Sequence, residues 1–300
     1  MKKVRLSIVV LSYNTKELTL NCLKSLLAVE SEVDFEIIVP DNGSSDGSVE
    51  AIRDQFREVC VIENKANLGF AAGNNTAKAF VAGEYVLFLN SDTIVYPGTL
   101  IETVAYLDKN PEVGAITCKV VLPDGSLDKD TRRSFVTPWI GLTHLFLRLD
   151  KLFPKSPLFA KYWYGYLSPD VVHEVDAIQG AFFLTRKSLL DKLGWWDTDY
   201  FLDGEDLDLA YRIHEAGFKI IYYPKVYITH YRGASKGKIN DGRKVHLSEK
   251  LRFRMAGVNS QEIFYRKHLW NKYPLILNWL VILGIKMLKM LRIIRTIVIG

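Results

Sequence analysis

Near the start of the chain, residues 4–11 alternate weakly and then run apolar over Ile8-Val9-Val10-Leu11, stopping at Ser12-Tyr13-Asn14. The same pattern then repeats. Residues 35–39 run apolar into Pro40-Asp41-Asn42-Gly43-Ser44-Ser45-Asp46-Gly47, and 59–63 lead to Asn67-Leu68-Gly69-Phe70-Ala71-Ala72-Gly73-Asn74-Asn75. Residues 85–89 (Tyr85 to Leu89) end at Asn90-Ser91-Asp92. Short apolar runs closed by turn residues read as strands buried on both faces. Between them the period changes. Leu18, Cys22, Leu23, Leu26 and Leu27 recur at helical spacing, and further helices are expected over 49–56 and 76–82. Strand, polar loop and helix in alternation predict an α/β, doubly wound, Rossmann-like fold with a mostly parallel central sheet flanked by helices. Parallel strands bring their carboxyl ends to one edge, so the four polar loops are expected to share a site there.

Farther on, a helix is expected over 99–110, one or two strands over 113–121, and a turn at Pro123-Asp124-Gly125. A strand segment follows over 175–185, a helical turn over 188–193, a helix opening at Gly204-Glu205-Asp206-Leu207-Asp208, and last strands over 220–223 and 226–230. Residues 134–170 show neither period. They concentrate aromatics, among them Phe135, Trp139, Phe146, Phe153, Trp163 and Tyr166. Such an insert serves as a lid or wall over a site, or packs as an ordinary aromatic subdomain.

Charge changes the picture at the end of the chain. Residues 241–300 hold 12 Lys+Arg against 3 Asp+Glu, whereas the first 240 are net acidic. The basic excess therefore belongs to the tail, and no nucleic-acid groove is expected in the body. In the tail, residues 275–285 are apolar but for Asn278. Lys286, Lys289, Arg292 and Arg295 then recur among Met, Leu and Ile. The apolar run is too short for a span of about 20 residues. A basic amphipathic helix lying on an anionic membrane surface fits it, with a core or oligomerisation helix as the alternatives. Two regions follow: 1–240, a catalytic domain carrying the 134–170 insert, and 241–300, a basic helical region. Cys22, Cys60 and Cys118 share no metal-ligand spacing and read as reduced thiols of a cytosolic protein, Cys22 and Cys118 buried. The first apolar run is broken too early for a signal peptide.

Asp92 is the first candidate for chemistry. A carboxylate at the carboxyl end of a central strand is sited to hold a divalent cation against phosphate, because hard cations take oxygen ligands. Capping of the next turn is the ordinary alternative. The Gly- and Asx-rich loops offer backbone N–H groups to an anion. Neither carries the dinucleotide fingerprint nor a Gly-Lys-Ser/Thr phosphate loop. Asp206, with Glu205 and Asp208, stands at a helix N-terminus, where the dipole favours ionised acids. Plain capping explains the same pattern.

Six segments in this order carry a resemblance over roughly residues 4–235: Val9-Val10-Leu11-Ser12-Tyr13-Asn14, Asp41-Asn42-Gly43-Ser44-Ser45-Asp46-Gly47-Ser48, Asn67 to Asn74, Asn90-Ser91-Asp92, Gly180-Ala181, and Gly204 to Leu209. The chain resembles family-2 glycosyltransferases of the GT-A fold, in the branch of rhamnosyltransferases and related cell-surface polysaccharide enzymes. The resemblance implies a nucleotide-sugar donor, a dTDP- or UDP-sugar, and a glycan or lipid-linked acceptor met at the inner face of the membrane. It implies that Asp41 meets the nucleobase beside Ser12, Tyr13 and Asn14. Asn67, Gly69, Gly73, Asn74 and Ser91 would line the donor site, and Asp92 would hold Mg²⁺ or Mn²⁺ with His230 as a further ligand. Asp206 would be the general base of an inverting transfer, with Gly180, Asp197, Glu205 and Asp208 around the acceptor. Asn90 stands where the strict Asp-x-Asp motif has its first Asp, which weakens the expected grip on the ion. The Gln-x-x-Arg-Trp motif of processive members is missing, so addition of one or a few sugars is expected. The rivals are a scaffold that has lost catalysis, against which both Asp92 and Asp206 speak, and a sugar nucleotidyltransferase, which would need a basic Gly-rich loop where Ser12-Tyr13-Asn14 stands.

Overall fold

The computed structural model describes residues 4–233 and 247–299, so the boundary expected at 240 lies outside the described residues. The first half contains β1 (Leu6–Leu11), α1 (Lys16–Leu27), β2 (Phe35–Asp41), α2 (Ser48–Gln55), β3 (Cys60–Glu63), α3 (Phe70–Asn75), β4 (Tyr85–Asn90), β5 (Thr93–Val95), α4 (Thr99–Lys109) and β6 (Val113–Val121). Then come β7 (Arg132–Arg133), the short helices α5 (Pro138–Ile140) and α6 (Leu149–Leu152), β8 (His173–Glu174), β9 (Ala177–Ile178), β10 (Phe182–Arg186) and α7 (Lys187–Leu193). Last are α8 (Glu205–Glu215), β11 (Lys219–His230), α9 (Leu247–Phe264) and α10 (Leu275–Ile299).

One large sheet runs β3-β2-β1-β4-β10-β6-β11-β5, with β8 beside β11. Strands β3, β2, β1 and β4 are parallel neighbours, and β6 and β11 pair in parallel. β10 lies antiparallel between β4 and β6, and β5 antiparallel on β11. The expected mostly parallel sheet is present. The loops after β1, β2 and β4 meet at its edge, where Ser12 and Asp41 extend the pairing of β1 with β2.

Side chains alternate across the sheet, as a strand requires. Val9, Val86, Phe88 and Phe183 face one core, together with Trp195, Trp196 and the buried sides of α8 and α9. Ile8, Val10, Leu87, Leu89, Phe182 and Leu184 face the other, which is filled by Leu23 and Leu26 of α1, Ile52 of α2 and Leu107 of α4. Cys22 and Cys118 are fully buried and Cys60 partly so. Burial pushes the Cys22 thiol up to about 12.

Several local expectations change. The segment expected to be loop as far as Asn75 is already helical from Phe70, continued by a 3₁₀ turn at Thr76–Ala79. The two last strands are one strand, β11, because a register shift between Tyr223 and Tyr227 absorbs Pro224 without ending the pairing. The 175–185 segment divides into β9 and β10, with Gln179, Gly180 and Ala181 between them. In the insert, Arg132 donates to the carbonyls of Leu167 and Ser168, closing the 134–167 excursion at its base. Inside it His144 stacks on Tyr162 at 4.4 Å, and its outer side leaves Leu142, Phe146, Leu147, Leu152 and Phe153 exposed.

The tail packs on the body. Phe264 of α9 stacks on Phe135 of the insert, and Asp208 accepts from His268 at 2.7 Å. Asn278, the one polar break in the apolar run, is buried. It accepts from Tyr265 Oη and donates to the carbonyls of Trp270 and Tyr273, which pins the start of α10. No helix among the described residues is long and apolar enough to cross a membrane.

Candidate active site

Two clefts open along the carboxyl edge and meet at Asp92. The first is lined by Tyr13, Asn42, Asn67, Gly69, Ser91 and Asp92, with Phe201 and Leu202 opposite. The second, about 160 Å³, is lined by Asp92, Arg133, Gly180, Glu205, Asp206 and His230 among others. Asn90, Phe70 and Leu202 border both.

The first cleft is held by side-chain-to-backbone bonds between successive loops. The Asp41 carboxylate accepts from Ser44 N at 2.7 Å and Ser44 Oγ at 2.6 Å. Asn14 Oδ1 accepts from Ser45 N at 2.8 Å, tying the first loop to the second. Asn42 Nδ2 donates to the Gly69 carbonyl at 2.9 Å, tying the second to the third, and Asn67 Oδ1 accepts from Gly69 N. Gly69 has φ of 86°, and a Cβ there would stand 2.3 Å from the Phe201 carbonyl oxygen, so only glycine fits. Of the residues expected here, Tyr13, Asn67, Gly69, Ser91 and Asp92 line the cleft. Ser12, Asn14, Asp41, Gly73 and Asn74 stand behind it, holding loops or packing α3: Asn74 donates to the Phe70 carbonyl, and a Cβ on Gly73 would meet Asn42 at 2.7 Å.

In the second cleft, β4 ends at Asn90 and β11 at His230, which lie side by side with Asn90 Nδ2 and His230 Nε2 3.3 Å apart. His230 Nε2 stands 3.2 Å from Asp92 Oδ1, while its Nδ1 is 3.0 Å from Asp128 Oδ2. Tyr231 N donates to the Asp92 carbonyl at 2.7 Å and fixes the two strand ends together. Burial pushes the imidazole down, but its two carboxylate partners outweigh that and raise it to about 9. Asp128 is fully buried and held below the usual carboxylate range; burial opposes this, but His230, Arg232 and Gln179 prevail. A carboxylate behind an imidazole whose other nitrogen faces a second carboxylate is how proteins orient a histidine for a metal.

The donor set fits a divalent cation. Asp92 Oδ1 and His230 Nε2, 3.2 Å apart, would both turn to such an ion once it displaces the proton that Nε2 shares with Asp92. Among the described residues no group of three or more His, Cys, Asp or Glu could hold a metal. Two protein donors leave the remaining positions for oxygens from outside, as for a cation that arrives with a diphosphate.

Across the cleft α8 starts at Gly204 (φ 103°), whose missing Cβ lets Ser260 of α9 approach to 2.7 Å of where it would lie. Asp206 then faces Arg133: Arg133 Nη2 donates to Asp206 Oδ2 at 2.5 Å, and both side chains are about nine-tenths buried. Burial pulls the guanidinium down, but Asp206 raises it well above its ordinary value, so the arginine stays charged. Glu205 and Gly180 also line the cleft, and the absence of a Gly180 Cβ admits the Phe70 ring. Asp208 and Asp197 do not line it. Asp208 is buried between Arg212 and His268, clamping α8 to the turn after α9, and Asp197 pairs with Lys267.

Sequence reasoning did not single out Asp128, Arg133, Arg232 or Gln179. The signal for Arg133 was there: Arg132-Arg133 stands at the start of an apolar-aromatic insert, where two cations need partners.

The family profile described as Glycosyl transferase family 2 matches residues 7–194. An N-acetylglucosaminyl-diphospho-decaprenol L-rhamnosyltransferase of Mycobacterium tuberculosis is 28% identical over 71% of this chain and 71% of its own length. The rhamnosyltransferase WbbL of Escherichia coli is 26% identical over 75% of this chain and 82% of its own. Among solved structures, a mannosyltransferase from Pyrobaculum calidifontis in complex with GDP-Man and Mn²⁺ covers 99% of this chain and 88% of its own, with TM-score 0.54 and 18% identity, a likeness of fold. With a matching profile over more than half its length, a GT-A-like sheet and rhamnosyltransferases among its relatives, this chain belongs to glycosyl transferase family 2.

Proposed function

We propose that this chain is an inverting, metal-dependent glycosyltransferase that moves one sugar from a nucleoside-diphosphate sugar to a hydroxyl of a lipid-linked or cell-surface glycan. The observation that carries the reading is that Asp92 and Asp206 line one cleft, and that Asp92 also lines the neighbouring cleft formed by the Gly- and Asx-rich loops. The nucleotide lies along the first cleft, against Tyr13, Asn67 and Gly69, and Asp41 supports its base end. Asp92 and His230 hold Mg²⁺ or Mn²⁺, which neutralises charge on the departing diphosphate. An imidazole ligand favours Mn²⁺. Asp128 keeps the imidazole turned toward that site.

Asp206 takes the proton of the acceptor hydroxyl as its oxygen attacks the anomeric carbon from the face opposite the diphosphate. The new carbon–oxygen bond forms as the bond to the diphosphate breaks, so configuration inverts. Arg133 orients the carboxylate of Asp206 and keeps a positive charge against it. Rhamnose is the first candidate for the sugar, supported by the names of the two rhamnosyltransferases, and a dTDP donor is carried over from the resemblance alone. The enzyme works at the cytoplasmic face of a membrane, supported by the exposed Ile276, Trp279, Leu283 and Met287 of α10 next to Lys286. A thermal-shift screen of nucleotide sugars with and without Mn²⁺ tests the reading. One nucleoside-diphosphate sugar should raise Tm far more with Mn²⁺ than without. No stabilisation by any nucleotide sugar would remove it.

A further inference from the structure

The two clefts are short of positive charge for the chemistry proposed above. Among the described residues no Lys, Arg or His lines the first cleft, and the cations lining the second are Arg133, His230 and Arg232. A diphosphate carries about two negative charges in a nucleotide sugar and about three once it has left. A divalent ion held by an ionised Asp92 sets about one positive charge against them. His230 adds none while it is a ligand, because a ligating imidazole is neutral. Arg133 is buried against Asp206 across the cleft. That leaves Arg232.

The end of β11 places this arginine. Tyr231 N bonds the Asp92 carbonyl at 2.7 Å, so the chain leaves the strand beside the ion site, and Arg232 is the next residue. Its Nη1 donates to Asp128 Oδ1 at 3.1 Å, and its Nη2 donates to Asp130. One carboxylate, Asp128, thus holds the imidazole through Oδ2 and the guanidinium through Oδ1. The two anchors of Arg232 differ. Asp128 is fully buried, whereas Asp130 keeps some exposure and lines the cleft, and the arginine side chain itself is half exposed. An ion pair in contact with water is worth little, so Asp130 can be exchanged for a stronger anion at small cost. A diphosphate is such an anion. The planar fork of a guanidinium meets two phosphate oxygens at once, through charge-assisted bonds. Asp128 keeps hold of the arginine during the exchange.

We infer that Arg232 is a second cation for the diphosphate, trading Asp130 for phosphate oxygens beside the ion and taking up charge that builds on the leaving group. This rests on the transferase reading above for the nucleotide, and a probe without a base separates the two.

Titration calorimetry of the full chain in Mg²⁺, with UDP, dTDP, UMP, dTMP and inorganic pyrophosphate, tests it. Arg232→Gln should weaken the tighter-binding nucleoside diphosphate and pyrophosphate about tenfold or more, and leave the matching monophosphate within about twofold. Arg232→Lys keeps the charge and loses the fork, so it should fall between wild type and Arg232→Gln. Asp130→Asn should bind the diphosphate as tightly as wild type or more tightly, because Arg232 no longer has a carboxylate to leave. A brace would behave otherwise: if Arg232 only holds Asp128 and Asp130 in place, Asp130→Asn and Arg232→Gln weaken binding together. That result, an equal loss for monophosphate and diphosphate, or no loss in either Arg232 variant would overturn the inference. If Arg232→Gln shows no thermal transition and so does not fold, Arg232→Lys set against Asp130→Asn decides by the same criteria. If no nucleotide binds wild type and Arg232→Gln still loses pyrophosphate, the transferase reading fails and the diphosphate role stands. If nucleotides bind and Arg232→Gln matches wild type in affinity, the inference fails alone. A wild-type protein that binds neither nucleotide nor pyrophosphate would overturn both.

Discussion

The two halves of the site are built differently. The half before Asp92 consists of three loops, each the direct continuation of a parallel strand, tied to one another mainly by bonds of short range such as Asp41 to Ser44 and Asn14 to Ser45, with Phe70 N to the Phe201 carbonyl as a contact from far along the chain. The half after Asp92 is assembled over long range: Arg133 with Asp206, 73 positions apart, and Asp128 with His230, 102 apart. The first is a sheet edge that follows from chain order. The second exists only once the insert, α8, β11 and α9 have packed. Substitutions in the first half should therefore act on nucleotide binding, and those in the second on turnover at Asp206 or on the ion beside His230.

The largest effect is expected where the halves meet. Asp92→Asn removes the ionised ligand, so kcat/KM should fall about 10³-fold, from a loss of several kcal/mol of charge stabilisation. Mn²⁺ should then no longer raise nucleotide affinity, as titration calorimetry with and without the ion would read. An unchanged Mn²⁺ response would place the ion elsewhere. Next is Asp128→Asn, one step behind the ion. It should cost about 10–100-fold in Mn²⁺ affinity or activity, with nucleotide binding in EDTA unaffected. Equal loss with and without the ion would make Asp128 a purely structural group.

Legibility followed the same division. Strands 4–11, 35–39 and 85–89 and the loops after them could be read from period and turn residues, because neighbours in sequence decide them. Asp92 and Asp206 could be named from where acids fall relative to a strand end and a helix start. Asp128 could not. It sits after a turn in a stretch with no period, and only the return of β11 102 positions later places an imidazole against it. Asp208 misled for the opposite reason. It shares the acidic cluster of Asp206, but two positions along a helix turn its carboxylate to another side, where Arg212 and His268 wait. Asn278 looked like a flaw in an apolar run, and its work is to satisfy carbonyls left by the preceding turn.

A smaller effect tests the seam between the halves. Gly69→Ala forces a side chain onto the Phe201 carbonyl at a left-handed position. It should destabilise by about 1–3 kcal/mol, lowering Tm by roughly 2–4 °C per kcal/mol for a chain of this size. No change in Tm would mean that the two halves are not in close register there. The smallest effect is electrostatic. With EDTA present, His230 is raised to about 9 by its carboxylate partners. A raised folded value contributes stability that is fully present below the unfolded value, about 6.5, and is lost as pH rises through 9. The Tm gap between wild type and His230→Gln should therefore be wider at pH 6 than at pH 10. A gap that widens with pH would contradict the pairing.

The most direct test of the whole account is Asp206→Asn, measured for transfer and for Mn²⁺-dependent nucleotide-sugar affinity on the same preparation. Loss of a positioned base should lower transfer by about 10²–10⁴-fold, and affinity should hold within about twofold. Transfer at the wild-type rate, or affinity lost in step with transfer, would contradict the division of the site at Asp92.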